Sequence, residues 1–442
     1  MMTPRLGTCS FHRDLPLLPP VDILVAGGGM AGCCAAVAAA RQGAEVMLVE
    51  QFADLGGMAT TGGTANFCGE TRGQGQVFDD ILTELDRLGA LAEYKPYAER
   101  EGRPFDHEVL KFVLQELALT AGVDLLLRTQ VVDADASDGR IDAVILHNKS
   151  GLQAIRPRVV IDATGEADVV HRTGFPTTKG RSSDGAPLPM GFHFFLRNGG
   201  HGVGHDVKQP LPNAAEPLRI YESEGDLPML SIWPQDDGKV AFKLKVVGHD
   251  ATDGRSLSDA ETAARRGMWS AVHFLQHHTL RGHDFSRHKY DYHSEQIGVR
   301  EGRRILGEYV LRVDDLRAGR AFDDGIAVGV FYLDAMDPTS DKRTYQLADD
   351  EMHVPPYHVP YRSLVPKGAK NLLAAGRCLS ADSLAQSSAR VMTTCAMMGQ
   401  AAGIAAAWSA DRGADAADVD IAWLQGELEH RGAALTLSMA SR

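Results

Sequence analysis

The chain has 442 residues, 44% of them apolar, and a formal net charge of −13. That apolar content can supply cores for more than one domain, and an acidic chain without a basic cluster argues against nucleic acid as its main partner. No apolar run reaches the roughly 18 residues of a membrane span, so no membrane partner is expected. The opening "MMTPRLGTCSFHRDLPLLPP" lacks the basic start, apolar run and cleavage site of a signal peptide. The six cysteines (Cys9, Cys33, Cys34, Cys68, Cys378, Cys395) form no CxxC pair and no metal-finger spacing. This pattern suits thiols in a reducing cytoplasm, where the chain is placed, and points to no metal site.

Residues 22–26, "DILVA", are a short apolar run read as a buried parallel strand. "GGGMAG" (27–32) follows at once, then an Ala-rich helical stretch ended by Gly43. "AEVMLVE" is the second strand, closed by Glu50. Strand, glycines, helix, strand and terminal acid in this order make a dinucleotide-binding unit. Gly27 allows the tight turn, Gly29 lets a pyrophosphate approach backbone, and Gly32 lets the helix pack on the strand. The helix N-terminus suits phosphate, Glu50 suits ribose hydroxyls, and a carboxylate there disfavours a 2′-phosphate.

Downstream, residues 77–93 and 106–121 show helical apolar spacing, with Asp106 as N-cap of the second. Strands alternate around the turn Asp138-Gly139. "VVIDATG" (159–165) and "NLLAAGR" (371–377) are apolar strands running into glycine. Between them lie the strand-like "GFHFFLRN", "KVAFKLKVVG" and "IAVGVFYLD" and a His-rich helical stretch from residue 259. The fold class expected is α/β: a Rossmann-like domain with a parallel sheet and an inserted β-layer, plus an α+β substrate domain. The boundaries are 1–185, 186–350 for the substrate domain, 351–412 for the returning part of the first domain, and 413–442 for a C-terminal helix.

The blocks "GGGMAG", "LGGMAT", "DATGEAD", "GVREGRRI", "AAGRCLSA" and "GQAAGIAAA" occur in order from residue 20 onward. In them the chain resembles the FAD-dependent oxidoreductase family of the glutathione-reductase-like flavoproteins. Met30 stands where that family has Pro, and Gly302 where it has Thr. The resemblance implies non-covalent FAD. Gly27, Gly29, Met30, Ala31, Gly32, Glu50 and Gln51 would hold its ADP half. Gly57, Met58 and Ala59 would lie along the pyrophosphate and flavin, and Val131 at the adenine. Ala163, Thr164 and Gly165 would pass the AMP portion, and Gly376 and Arg377 would reach the ribityl and pyrophosphate. A helix beginning near Ser388 would aim the amides of Arg390, Val391 and Met392 at the flavin's pyrimidine edge. The plainer reading of Arg390 is a helix cap or a pair with Asp382. The small residues from Leu372 to Trp408 would let this last helix approach the flavin and the first helix.

The implied reaction is hydride transfer between a small organic substrate and FAD, of dehydrogenase or oxidase type. The alternative is a monooxygenase or halogenase. Hydroxylases of this superfamily carry a GD motif where this chain has Gly376-Arg377. The tryptophans stand isolated, unlike the halogenase WxWxIP. The electron acceptor and the oligomeric state are left open. Among candidate catalytic residues, His193 is either a proton-accepting base or a packed core histidine, and Asp334 an alternative base ending a strand with Tyr332. Arg300 either anchors a substrate carboxylate or, like Arg303 and Arg304, belongs to an ion-paired hinge. Of the six histidines between His273 and His293, only His273 and His277 have i, i+4 spacing, and solvated or core roles fit them better than a metal.

Overall fold

The structure is a computed structural model and describes residues 9–98, 101–198, 221–235 and 238–437. Parts of the expected substrate segment (199–220 and 236–237) and the last residues of the tail lie outside the described residues. Among the described residues no helix is long and apolar enough to cross a membrane.

The architecture is mixed α/β. Five parallel strands form the central sheet, in the order Leu372–Ala374, Val159–Asp162, Ile23–Ala26, Val46–Val49, Asp124–Leu126. The strand Ile23–Ala26 sits at its centre, with Ile23 paired to Val46 on one side and Val159 on the other. Its residues are all buried because both faces of the sheet are covered. Ile23 and Val25 face a helical layer, while Leu24 and Ala26 face a core shared with Val131, Ile141, Val144, Leu146 and Ile155. That second layer is a three-stranded antiparallel sheet, Gln130–Ser137, Arg140–Asn148 and Gly151–Ile155. Its first turn places Asp138 and Gly139 at φ 49° and 82°, the left-handed pair that a tight two-residue hairpin requires.

In the helical layer the helix Met30–Ala40 lies against the long helix Met392–Arg412. Both are apolar almost all round, as expected of helices packed on every side. Their backbones nearly touch: a Cβ on Gly399 would lie 2.1 Å from Ala31 O, and one on Gly403 would lie 2.2 Å from Ala35 O. Small residues are therefore required at this crossing. Two neighbouring helices, Gln76–Arg87 and His107–Thr120, complete the layer. The first is shorter than the spacing suggests, because Gly89 at φ 68° ends it. Asp106 caps the second, accepting from the amides of Glu108 and Val109.

A separate core lies beneath a four-stranded antiparallel sheet, in the order Leu230–Pro234, Lys239–Val246, Met190–Asn198, His288–His293. Alternation decides its faces. Phe192, Phe194, Leu196, Phe242 and Leu244 pack on the helix Gly254–His277 through Ala260, Ala264, Ala271 and Leu275. The opposite face turns Gly191, His193 and Lys243 toward the central sheet's C-terminal edge. The expected strand carrying Tyr332 and Asp334 ends early: the pairing covers Gly325–Gly329, and both residues lie in irregular chain beyond it. His273 and His277 stack at 4.4 Å, and among the described residues no group of three ligands could hold a metal ion.

Candidate active site

One cavity of about 780 Å³ opens past the C-terminal ends of the parallel strands, where ligands bind in open α/β sheets. Its first end is the glycine loop. Gly27 has φ 100°, and a Cβ there would lie 2.4 Å from Ala163 O, so the loops after two adjacent strands meet backbone to backbone. A Cβ on Gly32 would lie 1.8 Å from Gly27 O, so this residue serves packing and does not line the cavity. Gly29 is the N-cap of the first helix and opens onto free space. Met30 and Ala31 follow it on the cavity wall.

Glu50 holds this loop from the second strand. Its carboxylate accepts from the Gly28 amide (2.6 Å) and the Phe52 amide (2.9 Å) while only 5% exposed. Burial pushes its carboxyl up, and the two amides hold it back. Gln51, Gly57, Met58, Ala59, Val131, Ala163, Thr164 and Gly165 line the same cavity, as do Gly376 and Arg377 from the returning chain. The Gly57–Ala59 turn is tied in by the Gly56 amide donating to Gly28 O at 2.7 Å. Arg377 pairs with Glu166 at 2.6 Å, lying so close over Gly165 that a Cβ there would be 2.3 Å from its Nη2. Its Nη1 is buried with no partner.

The second end of the cavity gathers His193, Lys243, Arg300, Asp334 and Arg390. His193 and Lys243 face each other across paired strands. Both imidazole nitrogens of His193 are buried without a partner, and burial with nearby Lys243 and Arg300 holds the ring well below the usual histidine range, hence neutral. Arg300 donates from Nη1 to Pro189 O at 2.8 Å. Arg390 donates to Asp334 Oδ2 at 2.6 Å. Two residues read separately in the sequence, one as a base and one as a flavin contact, are therefore an ion pair. Asp382 is not the partner of Arg390; it caps its own helix through the Ala385 amide and accepts from Val313 N.

The helix expected from Ser388 is two helices, Ser383–Ala389 and Met392–Arg412. The Arg390 amide donates to Gln386 O, closing the first, and the Val391 amide reaches back to Ser388 O. Val391 is the N-cap of the second, so the amides its helix leaves unpaired are those of Met392, Thr393 and Thr394. Of the three amides expected to face the cavity, two are already engaged. Arg390, Val391 and Met392 all nonetheless line it.

The neighbouring arginines Arg303 and Arg304 hold the molecule together. Arg303 contacts Asp168 at 3.0 Å and Thr252 O. Arg304 pairs with fully buried Glu301 and donates to Gly180 O and Ala381 O. Cys68 and Cys395 line the cavity as free thiols, pushed up by burial to about 11 and about 12. Neither is a thiolate near neutral pH. Lys243 is the site residue that the sequence reading overlooked. Its signal was the Lys239, Lys243 and Lys245 alternation, which equally describes a solvated strand face.

The lining suits FAD. A helix N-terminus with an open glycine and a buried, unshared arginine nitrogen meet where a pyrophosphate would lie. Glu50, at the end of the second strand, lines the same cavity. Residues 22–428 match the model of the FAD dependent oxidoreductase family. The chain belongs to that family. The chain is similar to "Digeranylgeranylglycerophospholipid reductase 1" of Methanopyrus kandleri, with 31% identity over 34% of this chain and 41% of that protein. It thus spans less than half the length of that curated relative. Among solved structures it is similar to CabE, an aromatic hydroxylase from angucycline biosynthesis (TM-score 0.49, 17% identity, 93% of this chain and 65% of that one). It is also similar to a geranylgeranyl bacteriochlorophyll reductase-like protein from Thermoplasma acidophilum (TM-score 0.46, 11% identity, 95% and 93%). The chain is thus a mixed α/β member of the FAD dependent oxidoreductase family.

Proposed function

We propose that this oxidoreductase is of dehydrogenase or oxidase type, moving a hydride between a small organic substrate and non-covalently held FAD. One observation carries the reading: the nucleotide-binding loop and the polar cluster His193–Lys243–Arg300 line one cavity, with no redox pair of cysteines beside it. The flavin, when bound, supplies two-electron chemistry at a ring that accepts or returns hydride. Glu50, the amides at the start of the first helix and Arg377 bind its nucleotide end. Residues 1–185 and 351–412 would do this work, 186–350 would present the substrate, and 413–442 would pack outside.

His193 is the proton-handling residue in this reading. A neutral imidazole with both nitrogens unshared can accept a proton at one ring nitrogen from a substrate hydroxyl or amine. Asp334 suits that role less, since its carboxylate already binds Arg390. Phe195, two residues along the same strand, is buried and stacks on Tyr292 at 4.4 Å.

NADH is not the expected reductant. The other glycine-rich stretch, "GQGQVF", opens the helix Gln76–Arg87, but its first amides are taken: Gln76 N donates to Arg431 O and Val77 N to Gln400 Oε1. Two of the amides that a helix N-terminus would offer a phosphate are therefore already engaged. Anaerobic mixing of the yellow holoprotein with NADH or NADPH should leave its visible band intact. Bleaching at turnover rates would move the protein to the hydroxylase class. Acid precipitation should release the flavin into the supernatant; colour retained in the pellet would refute non-covalent binding.

A further inference from the structure

Six carboxylates line the cavity, and every one is engaged. Glu50 accepts two amides, Glu166 pairs with Arg377, Asp168 with Arg303 and Asp334 with Arg390. Glu261 accepts from Ile297 N and pairs with Arg265, and Glu295 pairs with Lys111. Among the described residues, Lys243 and Arg300 have no carboxylate within salt-bridge distance. Arg300 is 7% exposed. The Lys243 ammonium lies 5.0 Å from the Trp233 ring centroid, and the half-buried residue lines the cavity.

The two cations converge over Gly191. A Cβ on that residue would lie 3.1 and 3.2 Å from the two terminal nitrogens of Arg300, and 3.3 Å from Lys243 Cδ. The bare backbone there lets guanidinium and lysine stem share one spot on the sheet. Asp334 attracts both cations, but its carboxylate is bonded to Arg390, so three cations face one carboxylate and a further anion is favoured there. Arg300 Nη1 already donates to Pro189 O, so the guanidinium's remaining N–H groups would meet an oxyanion, and Lys243 adds a point charge.

We infer that Lys243 and Arg300 form the anchor for a carboxylate of the substrate, so that the enzyme acts on small organic acids. This rests on the flavin reading above, since the same cavity must hold the flavin. The anchored carboxylate sits one strand from His193, which leaves the neutral imidazole free for the substrate's reacting end.

The groups facing Lys243 are His193, Arg300, Asp334, Arg390 and Cys68, with Trp233 across the sheet. Burial, then Arg300, pushes the lysine down to about 8. It is charged below that pH and neutral above it, so anion binding weakens as pH rises through about 8.

The test uses the holoprotein and the visible flavin band as its reporter. Acetate, succinate, benzoate and phenylphosphonate are titrated beside acetamide, succinamide and benzamide. At least one carboxylate should perturb the band saturably, with its amide binding at least tenfold more weakly. Lys243→Met and Arg300→Met should each raise that dissociation constant tenfold or more at unchanged flavin content. Arg300→Lys should recover part of the loss. Equal binding of acid and amide, no response to any carboxylate, or full affinity in Lys243→Met would overturn the inference. Tighter binding of phenylphosphonate than benzoate would reassign the anion. A shifted flavin potential in Lys243→Met with unchanged benzoate binding would mean that the cations serve the flavin instead. A protein that neither carries nor takes up flavin defeats the flavin reading itself, and the inference with it.

Discussion

Glu50 shows how much one side chain carries in a nucleotide loop. It is expected at this position for ribose hydroxyls, yet in the folded chain it already binds two amides, on Gly28 and Phe52. It therefore shapes the loop as well as facing the cavity. Glu50→Ala leaves two buried donors without an acceptor, at a cost of about 1–3 kcal/mol each. Since about 1.4 kcal/mol is tenfold in affinity, retention of FAD should fall tenfold or more. Glu50→Gln keeps one acceptor oxygen and should fall between. The ratio of flavin to protein after gel filtration checks the order, and equal ratios in all three proteins would refute it. Asp334 and Arg390 make a different point at the same scale. Neither could be assigned a partner from sequence, because 56 positions separate them and no periodicity links an irregular loop to a helix junction.

At the scale of elements, the crossing of Met30–Ala40 and Met392–Arg412 explains the run of small residues near the C-terminus. Each of Gly399 and Gly403 sits on a carbonyl of the first helix. Gly403→Ala would force a methyl to 2.2 Å from Ala35 O, so the helices must separate. Overpacking of this kind costs about 1–3 kcal/mol. Ala31 and Cys395, on the two helices, both line the cavity, so flavin content should drop with stability. Gly426 supplies the contrast. It lies within the helix Ile421–His430 with nothing within 4 Å of a Cβ. There the same change should stabilise, by up to about 1 kcal/mol, through helix propensity alone. Thermal unfolding of the two variants should move in opposite directions; a shared direction would sink the argument.

For the whole molecule, the segment "GVREGRRI" ties the cavity's two sides together. Arg304 and Glu301 are both buried, and between them they bind Gly180 O, Ala381 O, Leu188 N and Ser383 Oγ. These partners come from well-separated parts of the chain. Arg304→Met strands a buried carboxylate, and breaking such a pair by removing one partner costs about 3–5 kcal/mol. The denaturation midpoint should fall accordingly, and flavin should be lost with it. Glu301→Gln with Arg304→Met should recover part of the loss, because the stranded charge is gone. An unchanged midpoint in Arg304→Met would show that the pair is dispensable.

The sequence by itself determined the nucleotide-binding half of this protein. Its strands are short apolar runs, its glycines stand where backbone meets backbone, and Glu50 closes the second strand; each is local in the chain, and local sterics and solvation impose it. The α/β class followed from these elements, and the FAD-dependent family from six motif blocks spread in order along the chain. The polar end of the cavity was different. His193, Arg300 and Asp334 were legible as candidates one by one, but their pairings were not. Lys243 passed as a strand lysine, since alternation places a side chain on a face without saying what covers that face. The break at Arg390 was also invisible, because "SSARVMTTC" holds no Gly or Pro to mark it. Val391 takes extended backbone there (ψ 152°), and beside it the Asp334 carboxylate accepts from Arg390 and the carbonyl of Phe331 from the Ser388 hydroxyl. Only tertiary structure brings those distant groups within hydrogen-bond reach, and only there do two cations come to share one glycine.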